Sequence, residues 1–320
     1  MTRDLAVDLI AHHVPKFRAA LEPLLLPSIR IRTQRLAYDG SKLASKFGGL
    51  PLMPPEMDWP TWDPRPWHRA QVRFFEQLKA KHPNPSEWHD KKLAESVAAA
   101  NEAQPLPLAF LGQILLGELP DIPLPDLPRT GRLLFFYDLV TSPGSYDPAS
   151  LGSGQVRYVP DTSRDVVVTA PEFGKYGSFP HTAALSFEPE WTVPDHPMWE
   201  GIELNRFDPP FEELLKDLYG ELAPLHRIGG HAQPVQKDMR LKAQLVTHGI
   251  YCGDATGYKD PRRKALEPGA KDWQLLLQID TDEDGIGWTW GDVGMFYVWI
   301  RRQDLAARKF DHVFCEMQCH

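Results

Sequence analysis

Apolar positions change their period several times along this chain, and each change marks an element. Leu5 and Leu9, then Phe17, Leu21, Leu24 and Leu25, recur at three- and four-residue steps, which predicts two N-terminal helices with Pro15 opening the second. Residues 29–36 then alternate apolar and polar side chains like a half-buried strand. Between about 67 and 104 the pattern is helical again, rich in Lys, Glu, Ala and Gln, and a His-Pro-Asn-Pro run at 82–85 divides it into a pair whose second member Ser86 would cap. From 106 onward strands dominate, at 108–116, 132–140, 155–159 and 165–170, set apart by Pro- and Gly-rich turns. Residues 171–205 carry no clear period. Asp208 as cap, Pro209 and Pro210 behind it, and Phe211, Leu214, Leu215 and Leu218 on one face predict a helix that Gly220 ends. A further helix at 238–248 and strands at 273–280, 293–301 and 310–318 complete the set.

Self-similarity changes this from a string of elements into an architecture. Ser45-Lys-Phe-Gly-Gly49, Ala109-Phe-Leu-Gly-Gln-Ile114 and Gly131-Arg-Leu-Leu-Phe-Phe-Tyr137 are echoed by His226-Arg-Ile-Gly-Gly230, Leu275-Leu-Leu-Gln-Ile279 and Gly294-Met-Phe-Tyr-Val-Trp-Ile300. From second glycine to glutamine is 64 residues in the first copy (49 to 113) and 48 in the second (230 to 278), and the helical stretch at 67–104 accounts for the extra length. The expected fold is α+β, mainly β: an internally duplicated pair of similar halves packed into one pseudo-symmetric body, with N-terminal helices ahead of it. The divisions are 1–36 for the helical lead-in and first strand, 37–205 for the first half with its insert at 67–104, and 206–320 for the second half. A groove is expected at the seam.

The chain has 320 residues, enough for a well-buried core, and 31 prolines, about twice the average share of roughly 5%, which favours short strands and stiff loops. A net charge of −8 gives no electrostatic footprint for nucleic acid or an anionic membrane. Three cysteines, no run of 18 apolar residues and a start broken by Asp4, Asp8, His12 and His13 point to a cytoplasmic protein without leader or membrane span.

The ordered blocks SKFGGLPLMP, WP, LGQI, GRLLFF, HRIGGHAQPVQ, LLLQID and WGDVGMFYVWI, spread over residues 40–318, resemble the YwqG-like family, a bacterial domain of unknown function. The resemblance implies a mostly β, duplicated, cytoplasmic fold. It brings no catalytic residues with it. An association of some members with toxin and immunity systems suggests a protein-binding, immunity- or antitoxin-like role.

Candidate chemistry is sparse, since GxSxG, GxxxxGK[ST], GxGxxG and HExxH are all missing. Gly48, Gly49, Gly229 and Gly230 could let a ligand approach the backbone, or could serve tight turns. Asp280, Asp282 and Asp284, followed by Gly285, reproduce the opening of a calcium loop, but position twelve is Gly291 where a glutamate is needed, so a hairpin loop with solvated acids is the alternative. His226 and His231, with Asp292, are candidates for acid–base work or, with Cys315, Cys319 and His320, for metal binding, although no familiar spacing supports either. Trp59, Trp62 and Trp67 lie in a Pro-rich stretch, where tryptophans make low-entropy contact surface for a partner or plug a core. The reading is a non-enzymatic cytoplasmic protein that binds another protein, a basic one given the acidic surplus. The alternative is a metal-dependent hydrolase or small-ligand binder using the groove.

Overall fold

The computed structural model describes residues 1–38, 44–81, 86–171, 178–220 and 224–320. The run at 82–85 lies outside them. In chain order the elements are α1 (Arg3–His13), α2 (Arg18–Leu21), β1 (Leu26–Arg35), β2 (Lys46–Phe47), β3 (Leu52–Met53) and β4 (Thr61–Trp62). A helical hairpin follows, α3 (Arg65–Lys81) and α4 (Glu87–Glu102), then β5 (Leu106–Pro107), β6 (Ala109–Leu115), β7 (Arg132–Tyr137), β8 (Gly154–Val159), β9 (Val166–Val167) and β10 (Ala183–Thr192). The last third holds α5 (Pro209–Tyr219), β11 (Arg227–Gly229), α6 (Arg240–Val246), α7 (Arg263–Leu266), β12 (Trp273–Asp280), β13 (Met295–Arg301), α8 (Arg302–Ala306) and β14 (Val313–Gln318). Among the described residues no helix is long and apolar enough to cross a membrane.

Ten strands form one antiparallel sheet in the order β14-β13-β12-β11-β1-β10-β2-β6-β7-β8, and two small sheets, β3-β9 and β4-β5, lie apart from it. The centre is the ladder from Leu26↔Thr192 to Arg35↔Ala183. β10 goes unrecognised in the sequence because Pro189 interrupts it, although Leu185, Phe187 and Trp191 alternate with Ser186, Glu188 and Glu190 and pack against the core. β2 and β11 are too short to show a period. The strand expected at 165–170 shrinks to β9, which pairs with β3. Among the described residues helical ones, at 33%, outnumber strand ones, at 25%, so the fold is mixed rather than mainly β.

One face of the sheet encloses a core drawn from both of its ends, including Ile29, Phe47, Phe135, Ile279, Phe296 and Val298. The edge strands β8 and β14 share no ladder, yet a Cβ on Gly154 would lie 2.4 Å from Cys315 Sγ, and the Tyr137 and Phe296 rings are 4.6 Å apart. The sheet is rolled until its edges meet, which shields both. On the outer face α1 and α5 pack through Ile10, Phe211 and Leu214. α6 covers Trp273, Tyr297 and Phe314 through Met239, Ala243 and Val246, and Trp62 and Trp67 cover Leu134 and Phe136.

The two ends of the sheet share a register. Lys46 stands opposite Gln113 in the β2–β6 pair, and Arg227 opposite Gln278 in the β11–β12 pair. Gln113 accepts from the Leu52 N–H at 2.8 Å and donates to the Ala44 carbonyl at 3.0 Å. Gln278 accepts from the Gln233 N–H at 3.0 Å and donates to the Leu225 carbonyl at 2.8 Å. Each glutamine thus clamps the residue two before its buried cation to the residue six after. Both β6 and β12 shift register one step before the glutamine, between Phe110 and Gly112 and between Leu275 and Leu277.

Candidate functional site

Each short strand ends in a pair of glycines in the left-handed region, at φ +69° and +68° for Gly48 and Gly49 and +67° and +71° for Gly229 and Gly230. Space is as short as torsion. A Cβ on Gly48 would sit 2.3 Å from the His181 carbonyl oxygen, and one on Gly230 would sit 2.6 Å from Thr192 Oγ1. The pairs therefore make turns packed hard against neighbouring backbone and side chains.

The second turn borders a cavity of about 540 Å³, inside the size range of small-ligand pockets. It opens where β1 and β12 begin and β10 and β11 end, and Leu124, Pro125 and Leu127 from the β6–β7 connection close one side. Apolar surface dominates: Leu26, Trp199, Trp273 and Trp299 line it, and the Trp199 ring stacks on His196 at 4.1 Å.

His231 is the polar group most firmly fixed in this wall. Its N–H donates to Thr192 Oγ1 at 2.8 Å, its carbonyl accepts from Arg227 Nη1 at 2.9 Å, and its Nε2 bonds the Leu24 carbonyl at 2.7 Å. A carbonyl only accepts, so Nε2 carries the proton and Nδ1 is bare. Burial holds the imidazole down to about 4, with the Leu24 carbonyl opposing and Arg240 assisting, so the ring is neutral at pH 7. The residue is partly buried and lines the cavity. Nearby charges are mostly spent: Arg240 pairs with Glu200 and Asp238 at 2.7 and 2.6 Å, and Asp195, raised by burial, pairs with Arg206. Lys271 and Arg302 stand exposed at the rim.

Behind the turn, two buried guanidiniums share one carboxylate. Glu190 accepts from Arg30 Nε at 2.9 Å through one oxygen, and Arg227 Nε lies 3.3 Å from the other. The Arg227 guanidinium sits 4.7 Å over the Tyr219 ring. Burial lowers the pKa of Arg30 although Glu190 opposes it.

A family model described as a domain of unknown function, DUF1963, matches residues 45–319, from the strand before the first glycine pair to the last strand of the sheet. The chain belongs to that family. No curated protein matches it. The matched stretch leaves out β1, although β1 lies at the centre of the sheet.

In this DUF1963 chain the other residues singled out by sequence are dispersed. His226 is fully buried and uses both ring nitrogens: the Asp280 N–H donates to Nδ1 at 2.9 Å, so Nε2–H faces Asp282 at 3.2 Å. Asp282 also accepts from Thr33 and from the Gly285 N–H at 2.7 Å each, and although burial would raise its carboxyl, these bonds hold it at about 2. Asp280 accepts from the Leu225 N–H at 2.8 Å, whereas Asp284 and Asp292 point to solvent. Two of the three carboxylates of the calcium-like loop thus tie it to β1 and β11, and the third turns away. Among the described residues no three His, Cys, Asp or Glu side chains are grouped to hold a metal. Trp62 is buried, and Trp59 donates its indole N–H to the Leu108 carbonyl at 2.9 Å and meets the Phe136 ring at 5.6 Å. Sequence reasoning in this DUF1963 member missed Asp195, His196, Trp199, Arg240 and Trp273, which converge only through the fold. The His196–Trp199 spacing within a short helical turn is the one local signal.

Proposed function

We propose that this DUF1963 member is a non-enzymatic binding protein of the YwqG-like type, whose ligand is a small, largely apolar molecule held in the cavity beside Gly229, Gly230 and His231. The observation carrying this reading is the cavity itself: about 540 Å³ walled by three tryptophans and bordered by a histidine fixed through three hydrogen bonds. A non-enzymatic role is supported by His226, which has no ring nitrogen free for a substrate. Trp59 and Trp62 spend their faces on the sheet, so a protein partner held through them is not part of the proposal. The matched glutamine clamps, register shifts and glycine pairs support descent from one duplicated unit. Three free thiols suit a reducing compartment such as the cytoplasm.

The test is calorimetric titration with 2-methoxynaphthalene, an apolar bicyclic probe, against the natural chain and Ala232→Phe, which fills the cavity wall. Binding that Ala232→Phe abolishes supports the reading. Binding that persists undiminished in the filled variant overturns it.

A further inference from the structure

The hydrogen-bond accounting around His231 says more about the ligand than the shape of the cavity does. Its main-chain N–H, main-chain carbonyl and Nε2–H each have a protein partner, at 2.8, 2.9 and 2.7 Å. Nδ1 has none. The tautomer is dictated by the Leu24 carbonyl, which accepts and never donates, so Nδ1 presents a lone pair at the cavity wall. Moving the proton to Nδ1 would set the Nε2 lone pair against the Leu24 carbonyl oxygen, so the polarity of the site is fixed by the backbone of the segment before β1.

An acceptor that a bound ligand shuts off from water costs free energy unless the ligand brings a donor to it, and the other nearby groups decide which kind of donor. A carboxylate carries no proton to share, and its charge would face the Nδ1 lone pair. An ammonium group would have to pass Lys271 and Arg302 at the rim, and the Glu200 and Asp238 carboxylates are already paired with Arg240. A neutral O–H or N–H meets neither objection. The remaining wall favours a flat ring, since Trp199, Trp273 and Trp299 offer planar apolar faces and Pro27, Pro125 and Pro194 contribute stiff apolar edges.

Resting on the reading of the cavity as a ligand site, we infer that its ligand is a neutral ring compound bearing one hydroxyl or ring N–H, of phenol or indole type, which donates to Nδ1 of His231. The aromatic body lies among the tryptophans, and the donor end points to the turn after β11.

Three probes of one shape separate the chemistry. 2-Naphthol donates a hydrogen bond, 2-methoxynaphthalene cannot, and 2-naphthoate is an anion. Titrated into the natural chain at pH 7, 2-naphthol binds about tenfold more tightly than its methyl ether, the ratio expected when a buried acceptor is met rather than left unmet. 2-Naphthoate binds more weakly than either. In His231→Phe the preference for naphthol over ether falls to about onefold. The natural chain alone supplies a second readout independent of that variant's folding: the ¹⁵N resonance of His231 Nδ1 shifts from the unbonded toward the hydrogen-bonded position with naphthol and stays put with the ether. Equal affinity for naphthol and ether overturns the inference while leaving the cavity a ligand site. Tightest binding by naphthoate also overturns it, and failure of all three probes overturns both readings.

Discussion

Replacing Gln278 by leucine removes a clamp while nearly conserving side-chain volume. The side chain is fully buried; it accepts from the Gln233 N–H at 3.0 Å and donates to the Leu225 carbonyl at 2.8 Å and, more loosely, to Gln233 Oε1 at 3.4 Å. Leaving a buried donor unmade costs about 1–3 kcal/mol, and the part-buried carbonyl adds a smaller amount of the same kind. Burying leucine in place of an amide returns about 1 kcal/mol. The expected net loss is about 2–3 kcal/mol, measured as the change in urea-unfolding free energy followed by tryptophan fluorescence. Hydrogen exchange should quicken at the Gln233 amide in particular. Gln113→Leu should cost a similar amount, because Gln113 holds Leu52 and Ala44 in the same way. A Gln278→Leu protein within about 0.5 kcal/mol of the natural chain, with unchanged exchange at Gln233, would refute the reasoning.

Glu190→Gln should be harsher, about 3–5 kcal/mol in the same assay, because it strands two buried guanidiniums; a loss below about 1 kcal/mol would show that Arg30 and Arg227 do not depend on the carboxylate. Gly48→Ala should cost about 3 kcal/mol or more, against about 1 for Gly201→Ala, since both have positive φ but only Gly48 faces a carbonyl 2.3 Å from the new Cβ. Equal losses at the two glycines would contradict that packing argument. The His231 imidazole, lowered from 6.5 to about 4 in the folded chain, binds its proton earlier in the unfolded one. Its contribution is therefore present above pH 6.5 and lost as pH falls toward 4, by about 2–3 kcal/mol; a His231→Phe variant should show a correspondingly flatter acid limb in urea titrations across that window, and an identical limb would count against it.

The parts of the fold that could be read in the sequence were those whose chemistry is local. The glycine pairs, the glutamines and the runs that became β6, β7, β12 and β13 carry their own signals, because a turn needs positive φ and a covered strand needs a continuous apolar run. β10 alternates Leu185, Phe187 and Trp191 with Ser186, Glu188 and Glu190, a pattern that Pro189 obscures; what no local signal shows is that Glu190 is buried against Arg30 and Arg227, and Thr192 against His231. The cavity was illegible for a related reason. His231 stood out as a histidine near a glycine pair, but its tautomer is set by Leu24, 207 residues away in the chain. Asp280 and Asp282 looked like metal ligands because spacing shows which oxygens could converge and cannot show that Leu225, Thr33 and His226 already occupy them.

The central position of β1 also sets an order for biosynthesis. Its ladder partners are β10, which ends at Thr192, and β11, which ends at Gly229, so the strand leaves the ribosome long before either exists. At about 5–20 residues per second, roughly 10–30 s pass before β10 is made. Throughout that interval the nascent chain carries a strand with both edges bare. The middle of the polypeptide closes one side of its oldest strand and the last third closes the other, and a truncated translation product would expose a template for pairing with another chain.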